Sequence, residues 1–318
     1  MKRIVKKLII SLVCILLICG LFIHFYLPRL IIEIKNPITQ LAARKRSIPV
    51  WHDAVHRQQK FIYTTFDGLK IAGYIMYADS AKANLILLHG IRGSKEHFAN
   101  LSKRLADSGY TSIAIDLRAH GQSEGSYTTF GVKEKKDISY LLNYLTKQQH
   151  MKPSFGVWGQ SLGAAVALQG LAVDKRIKFG IIESTFNNMR QITHDYFYRY
   201  FHFDIPWFTN YLIDRAGEIG DFNPDEASPF KACKAISQPV FMVHGDDDHR
   251  INVNYGKANF SNLSAVDKHF TVVHNATHLN VWQVGGENYM TQVFNFIKLN
   301  TSQKKCTSNQ CALNLLLP

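Results

Sequence analysis

Residues 154 to 171 read Ser154-Phe155-Gly156-Val157-Trp158-Gly159-Gln160-Ser161-Leu162-Gly163-Ala164-Ala165-Val166-Ala167-Leu168-Gln169-Gly170-Leu171. The first five form a short apolar run of strand type, and residues 164 to 171 are small on one side and apolar beyond it, as a closely packed helix requires. Ser161 stands at the corner between them. A serine there occupies a strained backbone position, and Gly159 and Gly163 let neighbouring elements approach without a Cβ clash. The corner also starts a helix, so the N–H of Leu162 lacks an intrahelical acceptor and points where an oxyanion would form. Such a Gly-x-Ser-x-Gly corner presents a nucleophile. The same five residues are also compatible with a tight turn carrying an incidental serine, so the rest of the chain must supply an acid, a histidine and a second oxyanion donor.

Outward from this corner, apolar strands alternate with helices. Phe61-Ile62-Tyr63-Thr64-Thr65, an Asp67-Gly68 turn and Leu69 to Tyr77 predict a hairpin. Residues 84–89, 111–115, 154–158, 179–182, 239–243 and 269–273 predict further strands, with helical spacing over 98–105, 132–147 and about 288–299. Uniformly apolar strands between helices predict an α/β architecture, a mostly parallel sheet covered on both faces. Residues 187 to 231 interrupt the alternation with Tyr196-Phe197-Tyr198-Arg199-Tyr200-Phe201-His202-Phe203 and Pro206-Trp207-Phe208, an aromatic-rich lid insertion. Those aromatics either line an apolar acyl pocket or form the insertion's own core.

The 318 residues carry a net charge of +13, and 46% of them are hydrophobic, a composition for one large folded core. The charge is unevenly placed. Residues 1 to 46 hold nine Lys or Arg against Glu33 alone, which accounts for eight of the thirteen charges. Neither a phosphate-binding Gly-x-x-x-x-Gly-Lys loop nor a basic recognition helix occurs in the main domain, and no nucleic-acid partner is expected.

Leu8 to Leu27 form 20 nearly uncharged positions, about 30 Å as a helix and enough to cross a bilayer. A cleaved signal would have a shorter apolar run and a small-x-small site. Leu16-Leu17-Ile18-Cys19 resembles a lipoprotein box, with Ile18 where a small residue belongs. The expectation is therefore an uncleaved, single-pass anchor: residues 1–7 a cytoplasmic tail, 8–27 the transmembrane helix, 28–60 a juxtamembrane connector, 61–300 the main domain, and 301–318 a tail. Lys2, Arg3, Lys6 and Lys7 before the span favour a cytoplasmic N-terminus and an extracytoplasmic main domain. The basic connector with Trp51 either lies on anionic headgroups or is a solvated linker. Cys306 and Cys311 form a disulfide suited to an oxidising compartment or stay unpaired.

Over residues 61 to 300 the chain resembles the α/β-hydrolase family, notably its monoglyceride-lipase, prolyl-oligopeptidase-like and serine-aminopeptidase-like branches. Thr65-Phe66-Asp67-Gly68-Leu69-Lys70-Ile71-Ala72-Gly73 resembles that family's opening hairpin, and His89-Gly90-Ile91-Arg92-Gly93 its oxyanion loop. Asp116-Leu117-Arg118-Ala119-His120-Gly121-Gln122-Ser123 resembles its Asp-x-Arg-Gly-His-Gly-x-Ser segment, with Ala119 in place of a glycine. The resemblance implies an α/β-hydrolase fold, Ser161 as nucleophile, and Ile91 and Leu162 as oxyanion-hole amides. It places the acid at Asp248 in His244-Gly245-Asp246-Asp247-Asp248, with Asp246 and Asp247 as turn residues. It also favours His278 over His274 as the base, the latter reading as a strand-end packing residue.

The implied activity is a serine hydrolase acting on carboxylic esters, with small-molecule or lipid esters as substrates. A peptidase, an acyltransferase and a non-catalytic binding domain are the alternatives. His89, His97 and His120 form no short ligand pattern; ring stacking, exposure on a helix and loop hydrogen bonds account for them. Neither metal nor cofactor is expected.

Overall fold

The computed structural model describes residues 2–34 and 57–302. Trp51, most of the expected connector, and Cys306 and Cys311 lie outside the described residues. Eight strands form one sheet: β1 (Gln58–Thr64), β2 (Lys70–Met76), β3 (Ala83–Leu88), β4 (Tyr110–Ile115), β5 (Phe155–Gln160), β6 (Ile177–Glu183), β7 (Val240–Gly245) and β8 (Lys268–Val273). Their order is β1-β2-β4-β3-β5-β6-β7-β8. β1 and β2 pair antiparallel around the Asp67-Gly68 turn, where Gly68 has φ +85°, and β2 joins β4 antiparallel. From β4 through β8 every pairing is parallel.

Every residue of β3, β4 and β7 is buried, which is why those strands read as continuous apolar runs. Successive side chains still alternate between faces. Leu85 and Leu87 enter one core with Leu101 and Leu105 of α3 (Ala99–Asp107) and Val293 and Phe296 of α10 (Val281–Thr301). Ile86 and Leu88 enter the other, with Leu141 and Leu145 of α4 (Glu134–Lys147) and most of α5 (Leu162–Val173). Tyr255 and Phe260 of α9 (Val253–Ser261) pack against that second core. Each of these leucines and isoleucines contributes about 1.5–3 kcal/mol relative to exposure. The terminal helix begins at Val281, earlier than the Asn288 read from sequence. Gly285-Gly286 looks like a helix breaker, but the chain resumes its helix after a kink at Gly286 (φ 53°, ψ −147°).

Between β6 and β7 lies the aromatic-rich segment, folded as α6 (Met189–Phe201), α7 (Pro206–Gly220), a 3₁₀ turn at Pro224–Glu226, and α8 (Pro229–Cys233). Asn188 caps α6 by accepting from Gln191 N, and Pro206 opens α7 with a preset φ. Arg190 ties the two helices to the turn through Asp214 and Asp225. The sequence offers the aromatics as pocket lining or as the segment's own core, yet Tyr198, Tyr200, Phe201, Phe203 and Trp207 are exposed.

The N-terminal apolar stretch is helical over Lys2–Phe25 (α1) and again over Leu27–Ile32 (α2). Residues 3–22 are exposed throughout, and burial begins at Ile23. Residues 28–34 differ from a solvated connector, because Pro28, Ile32 and Ile34 are buried against the body. Ile32 O accepts from Thr128 N at 2.9 Å, and Arg29 Nη1 donates to Tyr127 Oη at 2.7 Å. Apart from Arg29 and Glu33, residues 28–34 continue the apolar character of residues 8–27, so composition alone does not separate the docked part from the free part.

Candidate active site

Ser161 sits at the β5–α5 corner with φ 54° and ψ −115°, in the positive-φ region that side chains seldom adopt. Two contacts force this conformation. Ser161 N donates to Glu183 O at 2.8 Å, tying the turn to β6. Helix α5 also presses onto the strands so closely that a Cβ on Gly159 would lie 2.3 Å from Gly163 O, and one on Gly163 would lie 2.0 Å from Leu88 O. The glycine spacing is therefore a packing requirement as well as a turn requirement.

The serine Oγ lies 2.9 Å from His278 Nε2, and His278 Nδ1 lies 2.7 Å from Asp248 Oδ2. With Nδ1–H donated to the carboxylate, Nε2 is left as the acceptor for the serine proton. Asp248 is buried, and its Oδ1 accepts from Arg250 N and Ile251 N at 2.9 Å each. Burial pushes its carboxyl up, but hydrogen bonds from His244 and His278, the imidazole charge and the Ile251 amide together hold it well below the usual carboxylate range. His244 Nε2 lies 2.9 Å from Ile251 O and 3.3 Å from Asp248 Oδ2, which stitches the loop around the carboxylate.

Each of the three consecutive aspartates has a histidine partner. Asp246 pairs with His274 at 2.8 Å and Asp247 with His249 at 3.0 Å, both at the surface, whereas the Asp248–His278 pair is buried. The structure thus brings Ser161, Asp248 and His278 together and leaves Asp246, Asp247 and His274 in solvent.

Leu162 N is the first amide of α5 and has no acceptor within its helix. Gly90 adjoins the serine: a Cβ there would lie 3.2 Å from Ser161 Cβ and 3.8 Å from its Oγ. Gly90 O is turned away, accepting from Gly93 N at 3.0 Å and meeting His89 Nδ1 at 2.7 Å. In a planar trans peptide the N–H of Ile91 points opposite that carbonyl. His89 accepts from Leu117 N on Nε2 at 3.1 Å. Its burial, with the charge of His120 second, pushes its pKa down to about 3 and keeps the ring neutral, as both hydrogen bonds require. His120 stacks edge-on against His89 with centroids 5.0 Å apart, and His97 is exposed. The Asp-x-Arg segment braces this loop: Asp116 accepts from Lys95 N and Lys95 Nζ, each at 2.7 Å. Ala119 has φ 64°, which explains the glycine of the family pattern at that position.

One residue of this region escapes a reading of the sequence. Glu183 ends the apolar strand β6, is buried, and accepts from Trp158 Nε1 at 2.7 Å, Gln160 Nε2 at 2.5 Å, Trp282 Nε1 at 2.8 Å and Tyr289 Oη. Burial raises its carboxyl above the ordinary value against those four donors. It joins β5, the serine turn and the start of α10, just beyond the His278 loop. A carboxylate at the C-terminal end of an otherwise apolar parallel strand is the only sequence signal. Glu183→Gln replaces one acceptor oxygen by an N–H in a site where the Trp158 and Trp282 indoles can only donate, and is expected to destabilise the fold by about 2–4 kcal/mol in urea unfolding. An unchanged midpoint would contradict that role.

Among the described residues, no group of three His, Cys, Asp or Glu side chains is arranged to hold a metal.

A family model described as the alpha/beta hydrolase fold matches residues 83–229, a segment that contains the serine turn. The chain is 28% identical over 223 residues to a lysophosphatidylserine lipase of Xenopus tropicalis, covering 66% of this chain and 53% of that protein. It is 26% identical over 199 residues to the Bacillus subtilis protein YqkD, covering 61% and 64%. The chain therefore spans about half to two thirds of the length of these relatives. Among solved structures, the esterase Pf2001 of Pyrococcus furiosus superposes with a TM-score of 0.66 at 25% identity, over 80% of this chain and 98% of that one. The parallel sheet with its antiparallel edge, and the serine turn that begins α5 within the matched segment, agree with these likenesses: the chain has the α/β-hydrolase fold.

Proposed function

We propose that this protein is a membrane-anchored serine hydrolase of carboxylic esters, with acyl lipids as its substrate class. The observation that carries the reading is the buried hydrogen-bonded chain from Asp248 through His278 to Ser161. In this reading His278 Nε2 takes the Ser161 proton as Oγ attacks the ester carbonyl, and Asp248 holds the imidazole tautomer and balances the imidazolium. The oxyanion is received by the amides of Ile91 and Leu162, each worth about 3–4 kcal/mol of barrier. His278 then gives the proton to the departing alkoxide, and water, activated by the same nitrogen, releases the acyl group and restores Ser161.

The lipid assignment is supported by relatives named as lysophosphatidylserine lipases and by the apolar helix α1, whose uncharged part stands free of the body. The division into a short cytoplasmic tail, an anchor, the main domain with its lid insertion, and a C-terminal tail belongs to the same proposal. The charges before Leu8 put the main domain outside the cytoplasm, where protease added to cells with opened outer layers digests it.

The full chain in detergent, offered short-chain esters, lysophospholipids and aminoacyl amides, is expected to hydrolyse the esters and the lysophospholipids. Turnover confined to aminoacyl amides would replace the esterase reading with a peptidase.

A further inference from the structure

Helices α1 and α2 run parallel to α7 of the aromatic-rich segment between β6 and β7, which forms a cap. His24 Nδ1 lies 2.6 Å from Tyr211 Oη, and eight residues later Ile32 Cδ1 lies 3.3 Å from where a Cβ on Gly220 would be. Residue 24 is therefore level with 211, and residue 32 with 220. One turn back, Trp207 comes level with Gly20, in the part of α1 that stands free of the body. Trp207 is 74% exposed. The loop from α6 into α7 lies at the same end and leaves Phe203 and Ile205 exposed, as are Tyr198, Tyr200 and Phe201 in the last turn of α6.

Within residues 198–207 the side chains of Arg199 and Asp204 are turned back onto the protein, and His202 is exposed. Arg199 donates to His249 O at 2.5 Å, and Asp204 accepts from Thr209 Oγ1 and meets His194, both at 2.6 Å. What remains outward is largely aromatic. Tyr and Trp are favoured where one end of a side chain meets hydrocarbon and the other meets water.

The depth of the span makes this surface meet lipid. A hydrocarbon core of about 30 Å, entered at Leu8, reaches about Leu27 at 1.5 Å per residue. The body first covers the helix in part at Ile23 and His24, with Phe25 and Tyr26 still exposed. The last turn of the span and the rim of the cap must therefore share the same depth.

We propose that Tyr198, Tyr200, Phe201, Phe203, Ile205 and Trp207 form a second membrane contact, seated within the outer part of the leaflet, down to about 10 Å below the hydrocarbon edge, where α1 emerges on the side of the body. This rests on the reading of α1 as a membrane anchor. The contact holds the cap against the bilayer, and Arg199 of the same rim reaches the loop that carries Asp248, so the site faces lipid at a set height.

The test uses the full chain reconstituted in phosphatidylcholine vesicles containing phosphatidylcholine with brominated acyl chains. Brominated lipid is expected to quench tryptophan emission in the native protein, and Trp207→Phe is expected to remove a measurable part of the quenchable signal. The doubly substituted Trp207→Ser/Phe203→Ser protein is expected to hydrolyse a vesicle-embedded ester about fivefold more slowly, and a water-soluble short-chain ester at the native rate. Release of the native protein by alkaline carbonate would show that the anchor reading has failed. Retention with quenching identical in native and Trp207→Phe proteins would overturn the rim contact alone. So would rates on the two esters that fall together, or a rim shielded from lipid by a second copy of the chain.

Discussion

Ser161→Ala is expected to lower ester turnover by about four to six orders of magnitude and to abolish labelling by a serine-directed fluorophosphonate. The size follows from the geometry. In the proposed mechanism, removing Oγ leaves His278 Nε2 with nothing to deprotonate at 2.9 Å, and only binding and the proposed oxyanion amides of Ile91 and Leu162 remain to favour the transition state. Groups that act as a unit do not lose activity additively, so His278→Ala is expected to cost nearly as much and the double variant little more. His274→Ala is expected to cost little, since its ring is exposed and its partner is Asp246. Persistent labelling of Ser161→Ala would remove the nucleophile assignment, and a severe loss at His274 with none at His278 would exchange the two histidines.

Asp248→Asn is expected to reduce kcat by about 10⁴ while the chain still folds. Oδ1 of the asparagine still accepts from the Arg250 and Ile251 amides, so the loop keeps its anchors. The other branch becomes an NH₂ group facing His278 Nδ1, which shifts the imidazole proton to Nε2 and leaves no acceptor for the serine. Asp246→Asn and Asp247→Asn are expected to stay within a few-fold of native activity, because their pairs lie in solvent. A large defect at Asp247 with none at Asp248 would contradict the assignment.

The same carboxylate has a pH signature. Its folded pKa lies below the unfolded value of about 3.9, so the stability it contributes is present above that value and lost as pH falls through the folded one. The stability gap between native protein and Asp248→Asn should therefore hold steady from about pH 8 to 5 and narrow below about 4, as read by urea unfolding.

Local chemistry made much of this molecule legible in its sequence. The strands announce themselves because buried parallel strands must be apolar along their whole length, as Leu85 to Leu88 and Ile113 to Ile115 are. The serine corner is legible because close packing of α5 on β3 and β5 excludes a Cβ at Gly159 and Gly163, so the constraint is written as glycine at fixed spacing. The apolar length of residues 8–27 is legible too, as a count of uncharged positions that matches the thickness of a hydrocarbon core.

What tertiary structure alone decided involves partners distant in the chain. The placement of β4 between β2 and β3 is one such feature, because nothing in an apolar strand names its neighbour. The meeting of Asp248 with His278 is another: Asp246, Asp247 and Asp248 each stand near a histidine, and burial separates them only after β7 and β8 pair. Glu183 is a third, since its four donors come from β5 and from α10, about a hundred residues further on. The exposure of the cap aromatics and the docking of residues 28–34 belong here as well. An aromatic residue reads the same in sequence whether it faces a core, a pocket or a bilayer, and only the packing of α1, α2 and α7 determines which surface it meets.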